Sequence, residues 1–384
     1  MKSLELFSGS GGLAEGLRLS GFKHEALIEW NKDACNSLRN NFQDIPVHET
    51  DIRNFDFTQF GNIDILAGGP PCQPFSLGGK AKGNKDDRDM FPYAIKGIRE
   101  LKPKAFLFEN VKGLLRQSFS SYFNYIILQL SYPELTKNQN ESWKTHLSRL
   151  KKTHNSGNFQ GLKYNVEFKL INSANYGIPQ KRERVIIIGI KDCLNIGWSF
   201  PKESHSIDKL LWDKYVTGDY WEKFKVPINE REEITPKIKS RIERLKRKYD
   251  LYIPELQPWV TVREALFDLP NPQSKVNNIT DHIFRDGAKI YPGHTGSYID
   301  EPSKTIKAGN HGVPGGENMI RFKNGDVRYF TVQEAKRIQT FPENYEITGA
   351  WSEAMRQLGN AVPVNLAKII GNKIIQKLSS QQHI

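Results

Sequence analysis

This sequence predicts an α/β fold built on a doubly wound, mostly parallel sheet, with a second, smaller and irregular domain. Three observations predict it. Residues 1 to about 190 alternate short apolar runs with helical patterns, the signature of strand–helix–strand units. A glycine-dense turn directly follows the first apolar run, at the carboxyl end of a strand, where open sheets of this kind bind ligands. From about residue 191 the alternation stops. Tryptophans, prolines, a basic run and a glycine-dense stretch take its place.

Taken in order, the apolar runs place strands at 4–7, 26–29, 63–67, 105–109, 164–172 and 184–190. Helical spacing places helices between several of them, at 13–19, 33–41 and 93–101. The polar, lysine-rich stretch 133–163 reads as an inserted loop rather than core. Farther on, Lys237, Lys239, Arg241, Arg244, Lys246, Arg247 and Lys248 read most simply as a solvated helix face, though such a run can also track phosphates. Thr331-Val332-Gln333-Glu334 is a capping box that opens a helix, with Pro342 expected to close it. Leu366, Ile369, Ile370, Ile374 and Leu378 give 364–378 an apolar helical face, which needs a surface to cover. Because the first strand begins almost at Met1, that helix is the candidate to fold back beside it. The expected division is 1–190, 191–327 and a returning segment 328–384.

A chain of 384 residues is long enough for a sizeable core. Its three cysteines, Cys35, Cys72 and Cys193, are odd in number and far apart, which argues against a disulfide framework. No Cys or His spacing suits a metal, and no segment reads as a signal peptide or membrane span. The expectation is a soluble, cytoplasmic chain without a membrane partner. A net charge of +12 favours a polyanionic partner, nucleic acid before a membrane surface.

The most informative stretch is Gly68-Gly69-Pro70-Pro71-Cys72-Gln73-Pro74-Phe75-Ser76. It carries one cysteine on a proline-stiffened loop just past a predicted strand. A nucleophile and a small buried cysteine in a tight turn fit this segment about equally. Phe7, Ser8, Gly9, Ser10, Gly11 and Gly12 follow the first strand and open a helix, where glycines admit a ligand to free amide donors. Glu29 can hold ribose hydroxyls, Trp30 can stack on adenine, Asp51 can accept from its amino group and Ile52 can cover the ring. Singly, each also fits a turn or a packed side chain; their order along one half of the sheet favours an adenosine-type cofactor. Glu109 and Asn110 end another strand, and Arg182 and Arg184 stand where the chain enters the next. A thiol, a carboxylate and arginines on one rim suit attack on an electron-poor heterocycle.

Together with Gln357-Leu358-Gly359-Asn360-Ala361-Val362-Pro363, these segments resemble the DNA cytosine-5 methyltransferase family, of the prokaryotic modification-methylase type. The ordered motifs cover roughly 1–190 and 328–370, and 191–327 falls where the family places its variable target-recognition domain. The resemblance implies the S-adenosylmethionine-dependent methyltransferase fold and the cofactor S-adenosylmethionine. It makes Cys72 the nucleophile, Glu109 the group that contacts the cytosine ring, and Arg184, with Arg182, the charge partner. Pro71, Gln73, Ser76 and Asn110 support them. Phe7, Glu29, Trp30, Asp51, Ile52, Asn360 and Val362 line the cofactor pocket, and Met90 packs there in place of the family's usual leucine. Residues 76–88 resemble the mobile active-site loop, with Lys80, Lys82 and Arg88 as candidates for contacting DNA. Thr305, Asn310 and His311 are the candidates for reading DNA. The implied partner is double-stranded DNA, met by a monomer in a prokaryotic or phage-encoded system, with a restriction endonuclease that acts independently. The family's RNA branch carries an additional Cys-Phe-Thr element. Here the other cysteines stand as Ala34-Cys35-Asn36 and Asp192-Cys193-Leu194, so that element is absent.

Overall fold

The computed structural model describes residues 1–71, 89–250, 252–274, 279–308 and 318–380. It resolves into two compact units, 1–171 with 183–201 and 367–384, and 172–182 with 202–366. Residues 172–182 and 328–366, grouped above with the catalytic segments, make their contacts within the second unit.

The first unit is built on a sheet of strands β1 (Lys2–Leu6), β2 (Lys23–Glu29), β3 (Val47–Glu49), β4 (Ile65–Gly68), β5 (Ala105–Val111), β6 (Tyr164–Asn172) and β8 (Glu183–Lys191). The two-residue β7 (Gln180–Lys181) pairs elsewhere. The sheet order is β3-β2-β1-β4-β5-β8-β6, parallel from β3 to β5, with β8 antiparallel to β5. The chain winds outward from β1 in one direction and from β4 in the other. The crevice between β1 and β4 is therefore the switch point at which doubly wound sheets bind ligands.

Central strands β1, β4 and β5 are buried almost throughout, because helices cover the sheet. These helices are α1 (Gly12–Ser20), α2 (Lys32–Asn41), α3 (Phe91–Leu101) and α4 (Ser120–Ser131), while α5 (Trp143–Ser156) packs on α4. Leu4, Leu6, Leu66, Phe106 and Phe108 from the strands pack with Phe91, Ile95, Ile98 and Ile126 from α3 and α4. Gly189 leaves room for the Phe106 ring, which any Cβ there would overlap.

The expected strands are all present, with ends shifted by a few residues, while β3 and α4 were not anticipated. The reading of 133–163 as a loop is overturned. Ser142 caps α5 by accepting from the Thr145 amide, and Gly157, at φ +69°, ends it. Leu147 and Leu150 then bury against Tyr125, Leu128 and Tyr132 in a small separate cluster.

His24 on β2 is buried against α1, its ring 2.9 Å from Ser3 Oγ and 2.9 Å from the Ala14 carbonyl. Burial pushes its pKa from 6.5 down to about 4. The folded ring stays neutral while the unfolded ring takes up a proton near pH 6.5, so its contribution is complete above pH 6.5 and lost as pH falls towards 4. Urea unfolding of wild type and His24→Gln across this window should show their stability difference shrinking by about 3 kcal/mol. A flat difference would rule out the neutral buried ring.

In the second unit short strands replace a sheet core: β9 (His205–Ser206) with β10 (Gln257–Pro258), β11 (Ser297–Tyr298), β13 (Met319–Arg321) and β14 (Val327–Tyr329) together, and β12 (Ser303–Lys304) with β7. Its helices are α6 (Ile207–Trp212), α7 (Asp219–Lys223), α8 (Pro236–Tyr249), α9 (Val262–Ala265), α10 (Val332–Ile338) and α11 (Trp351–Asn360). A buried carboxylate organises its interior. Asp300 accepts from Tyr220 Oη at 2.8 Å and from Arg263 Nε at 2.6 Å. Leu210, Trp221, Phe224 and Val226 pack around that tyrosine.

The Thr331–Glu334 capping box forms as expected, but α10 stops at Ile338, before Pro342, where Thr340 turns to φ +57°. The last helix, α12 (Val364–Ser379), lies against α1 in the first unit: a side chain at Gly371 would meet Ser20 and Leu17.

Candidate active site

The carboxyl ends of β1, β4 and β5 share one rim of the sheet. Gly68 pairs with both Leu6 and Phe108, so the turns after β1 and β4 and the end of β5 stand side by side. Because β8 runs antiparallel to β5, its first residues reach the same rim, with Arg184 opposite Val111. Glu109 and Arg184 meet there. Arg184 Nε lies 2.8 Å from Glu109 Oε1, with side chains only 14% and 11% exposed. No aligned hydrogen bond among the described residues reaches that oxygen, so the contact is an ion pair by distance.

The chain past β4 runs beside Glu109 and is tied to its neighbour Asn110. A Cβ on Gly69 would stand 3.6 Å from Glu109 Oε2, so the loop enters directly beside the carboxylate. Asn110 Nδ2 donates to the Pro70 carbonyl at 2.9 Å, and the Pro71 carbonyl accepts from the Met90 amide at 3.2 Å. Asn110 thus holds the chain at Pro70, and Pro71 is bound to Met90 at the start of α3. Cys72, Gln73, Ser76, Lys80, Lys82 and Arg88 lie outside the described residues, as do Asn310 and His311.

The glycine-rich turn is shaped by one carboxylate. Phe7 at φ +56° and Gly9 at φ +54° bend the chain after β1, and Gly11, at φ +84°, caps α1 with no side-chain acceptor. The first amides of α1 are therefore not capped by a side chain, which suits an anionic group. Ser8 is drawn back to the strands, its amide donating to the Ile28 carbonyl at 3.1 Å. Glu29, at the end of β2, accepts from the Gly9 amide at 2.8 Å and from the Trp30 and Asn31 amides at 3.0 and 2.8 Å. Two oxygens offer about four lone-pair sites, so one remains for a ligand hydroxyl.

Trp30 is 74% exposed, a large indole left open to a stacking partner. Asp51 is bound by its neighbour Arg53, whose hydrogen bonds hold the carboxyl below its usual range. Ile52 is buried, and Met90 packs against the main core. The rim thus brings together a helix start with no side-chain cap, a carboxylate with acceptor capacity to spare and an exposed indole, while Asp51 is already engaged by Arg53.

Among the second unit's candidates, Arg182 is almost fully buried, donating to the Gly359 carbonyl at 2.9 Å and the Asn360 carbonyl at 3.3 Å. Its guanidinium positions the turn that carries Asn360 and Val362. Gln339, absent from the expected site, joins this lock. It accepts from Gln180 Nε2 at 3.1 Å and donates to the Leu358 carbonyl. Thr305 donates to the Lys181 carbonyl at 2.9 Å, and the Asn318 side chain pairs twice with the Lys307 backbone.

Glu5 was also missed. It is fully buried on β1, next to the glycine-rich turn, and burial pushes its pKa well above the usual range. A glutamate inside an apolar strand was the available signal.

The family model described as C-5 cytosine-specific DNA methylase matches residues 1–133 and 135–376. The Type II methyltransferase M.PspPI of Psychrobacter sp. (strain TA137) is 34% identical over 382 residues, covering 98% of this chain and 79% of that one. M.NgoMIV of Neisseria gonorrhoeae, also a Type II methyltransferase, is 32% identical over 99% of this chain and 98% of its own. Among solved structures, a prophage-encoded E. coli protein described as a DNA modification methyltransferase superposes with a TM-score of 0.59 over 99% of each chain, at 20% identity, and so shares the fold. The chain therefore belongs to the C-5 cytosine-specific DNA methylase family and is a DNA cytosine-5 methyltransferase.

Proposed function

We propose that the chain transfers a methyl group from S-adenosylmethionine to carbon 5 of a cytosine flipped out of a specific duplex DNA sequence, through a covalent adduct between Cys72 and carbon 6. The observation that carries this reading is the Glu109–Arg184 pair at 2.8 Å, beside the Gly69 entrance to the Cys72 loop. Carbon 5 of cytosine is a poor nucleophile. Addition of the Cys72 thiolate at carbon 6 pushes an electron pair through the ring, and a proton at N3 neutralises it. Glu109 shares that proton with N3 and accepts from the exocyclic amine, while Arg184 fixes its carboxylate. The resulting enamine makes carbon 5 nucleophilic.

Bound at the rim, S-adenosylmethionine supplies an electrophilic methyl group. The first amides of α1 would hold its carboxylate, Glu29 its ribose and Trp30 its adenine, with Phe7, Ser10, Gly12 and Ile52 completing the walls. After carbon 5 gains the methyl, its hydrogen leaves to a base as a proton. The electron pair returns to the ring, N3 gives up its proton and the thiolate is expelled.

A base within a duplex cannot be attacked from above its ring, so the target must leave the stack. Residues 191–327 are the proposed target-recognition segment. The cellular reading is a modification methylase, cytoplasmic and monomeric, beside an independent restriction endonuclease. The test is incubation with duplex DNA and methyl-labelled S-adenosylmethionine, followed by nucleoside analysis. Label in 5-methylcytosine is expected. Label on the exocyclic amine, or only on RNA, would overturn the proposal.

A further inference from the structure

Helix α8 (Pro236–Tyr249) carries seven Lys or Arg against one Glu. Its apolar face is narrow, with Ile242 and Leu245 buried and Ile238 half-buried. Lys237, Arg241, Arg244 and Lys248 recur at i, i+4, i+7 and i+11, so they line one flank over about 16 Å of helix axis. All four are exposed. Lys248 is anchored to Asp208 of α6 at 2.8 Å, which Tyr249 also contacts at 3.1 Å. Among the described residues, Lys237, Arg241 and Arg244 make no ion pair.

Two features separate this flank from an ordinary solvated helix face. Such a face alternates signs and gains from opposite-charge neighbours, whereas Lys237–Arg241, Arg241–Arg244 and Arg244–Lys248 are like-charge neighbours that destabilise a helix. Lys237 also sits in the first turn, where the helix dipole disfavours a cation. Asp208 offsets part of this charge at the Lys248 end, and a row of anions lying along the flank would relieve the rest.

We infer that the Lys237–Arg241–Arg244 flank of α8 tracks the phosphate backbone of duplex DNA, adding affinity without reading sequence. The inference rests on the proposed action on duplex DNA and deepens it by assigning a backbone-binding surface. Phosphate contacts position a protein on the duplex and carry no sequence information directly. The flank should therefore contribute equally on any duplex.

The test is fluorescence anisotropy with a short duplex of arbitrary sequence over a range of salt concentrations. It compares wild type, Lys237→Gln/Arg241→Gln/Arg244→Gln, and Lys144→Gln/Lys151→Gln/Lys152→Gln, which removes the same charge from exposed positions on α5. The α8 variant should bind roughly 30- to 100-fold more weakly near 0.15 M salt, with a log–log salt slope shallower by about 2 to 3. The α5 variant should stay close to wild type. An unchanged slope in the α8 variant, or equal losses in both variants, overturns the inference, the latter by reducing it to net charge. Preferential loss of binding to anionic vesicles, with DNA binding intact, overturns it in favour of a membrane surface. Wild type that neither binds nor methylates duplex DNA would instead bring down the proposed function and, with it, this inference. A thermal melt of each variant confirms that it is folded.

Discussion

Cys72→Ala is expected to lower methyl transfer by about four orders of magnitude or more while leaving DNA and S-adenosylmethionine binding nearly intact. Without the thiolate no covalent bond forms at carbon 6, and carbon 5 keeps the low reactivity of an aromatic ring. The chain that leads to Cys72 is held beside the Glu109–Arg184 pair. Asn110 fixes the Pro70 carbonyl at 2.9 Å, and Glu109 stands beside Gly69. Neither remaining cysteine can substitute. Cys35 is buried on α2, and burial, with Glu29 and Glu49 nearby, pushes its thiol up to about 12. Cys193 is exposed, but its short helical turn at Asp192–Leu194 follows β8 at the opposite end from Arg184. Steady-state kinetics with separate binding titrations checks this, and activity surviving in Cys72→Ala would remove the nucleophile from the mechanism.

Glu109→Gln is the second large effect, with an expected loss of roughly 10²- to 10⁴-fold in kcat and little change in DNA KM. The amide keeps the side chain's shape but cannot share a proton with N3, so the added electron pair is not neutralised. It also strips Arg184 of its counter-ion in a site where both side chains are largely buried. Arg184→Ala should fall in the same direction, and the double variant should lose less than the sum, because both substitutions break one unit. Additive losses would mean that the two residues act separately.

How far the site was legible depended on what each residue does. Glu109, Asn110 and the glycine-rich turn could be read because strand ends and glycine runs have local signatures, and β5 and β1 carry both. The role of Arg182 could not, since arginines are seldom buried and its partners, the Gly359 and Asn360 carbonyls, lie far along the chain. Helix α5 was lost among its lysines, although Trp143, Leu147 and Leu150 kept the spacing of a buried face. Strand β3 is three residues long and half-exposed, too short for any periodicity. The second unit's two-residue strands pose the same difficulty, and tertiary bonds such as Arg263–Asp300 stand in for pattern there.

The Cys72 adduct is tested most directly by a duplex in which 5-fluorocytosine replaces cytosine at the methylated position. The wild-type protein is incubated with this duplex and S-adenosylmethionine, then digested and sequenced by mass spectrometry. Fluorine cannot leave as the carbon 5 proton does, so elimination stalls and the enzyme should remain bound to DNA through Cys72, with the methyl group already on carbon 5. An adduct on Cys35 or Cys193, or full methyl transfer with no covalent complex, would contradict nucleophilic catalysis by Cys72.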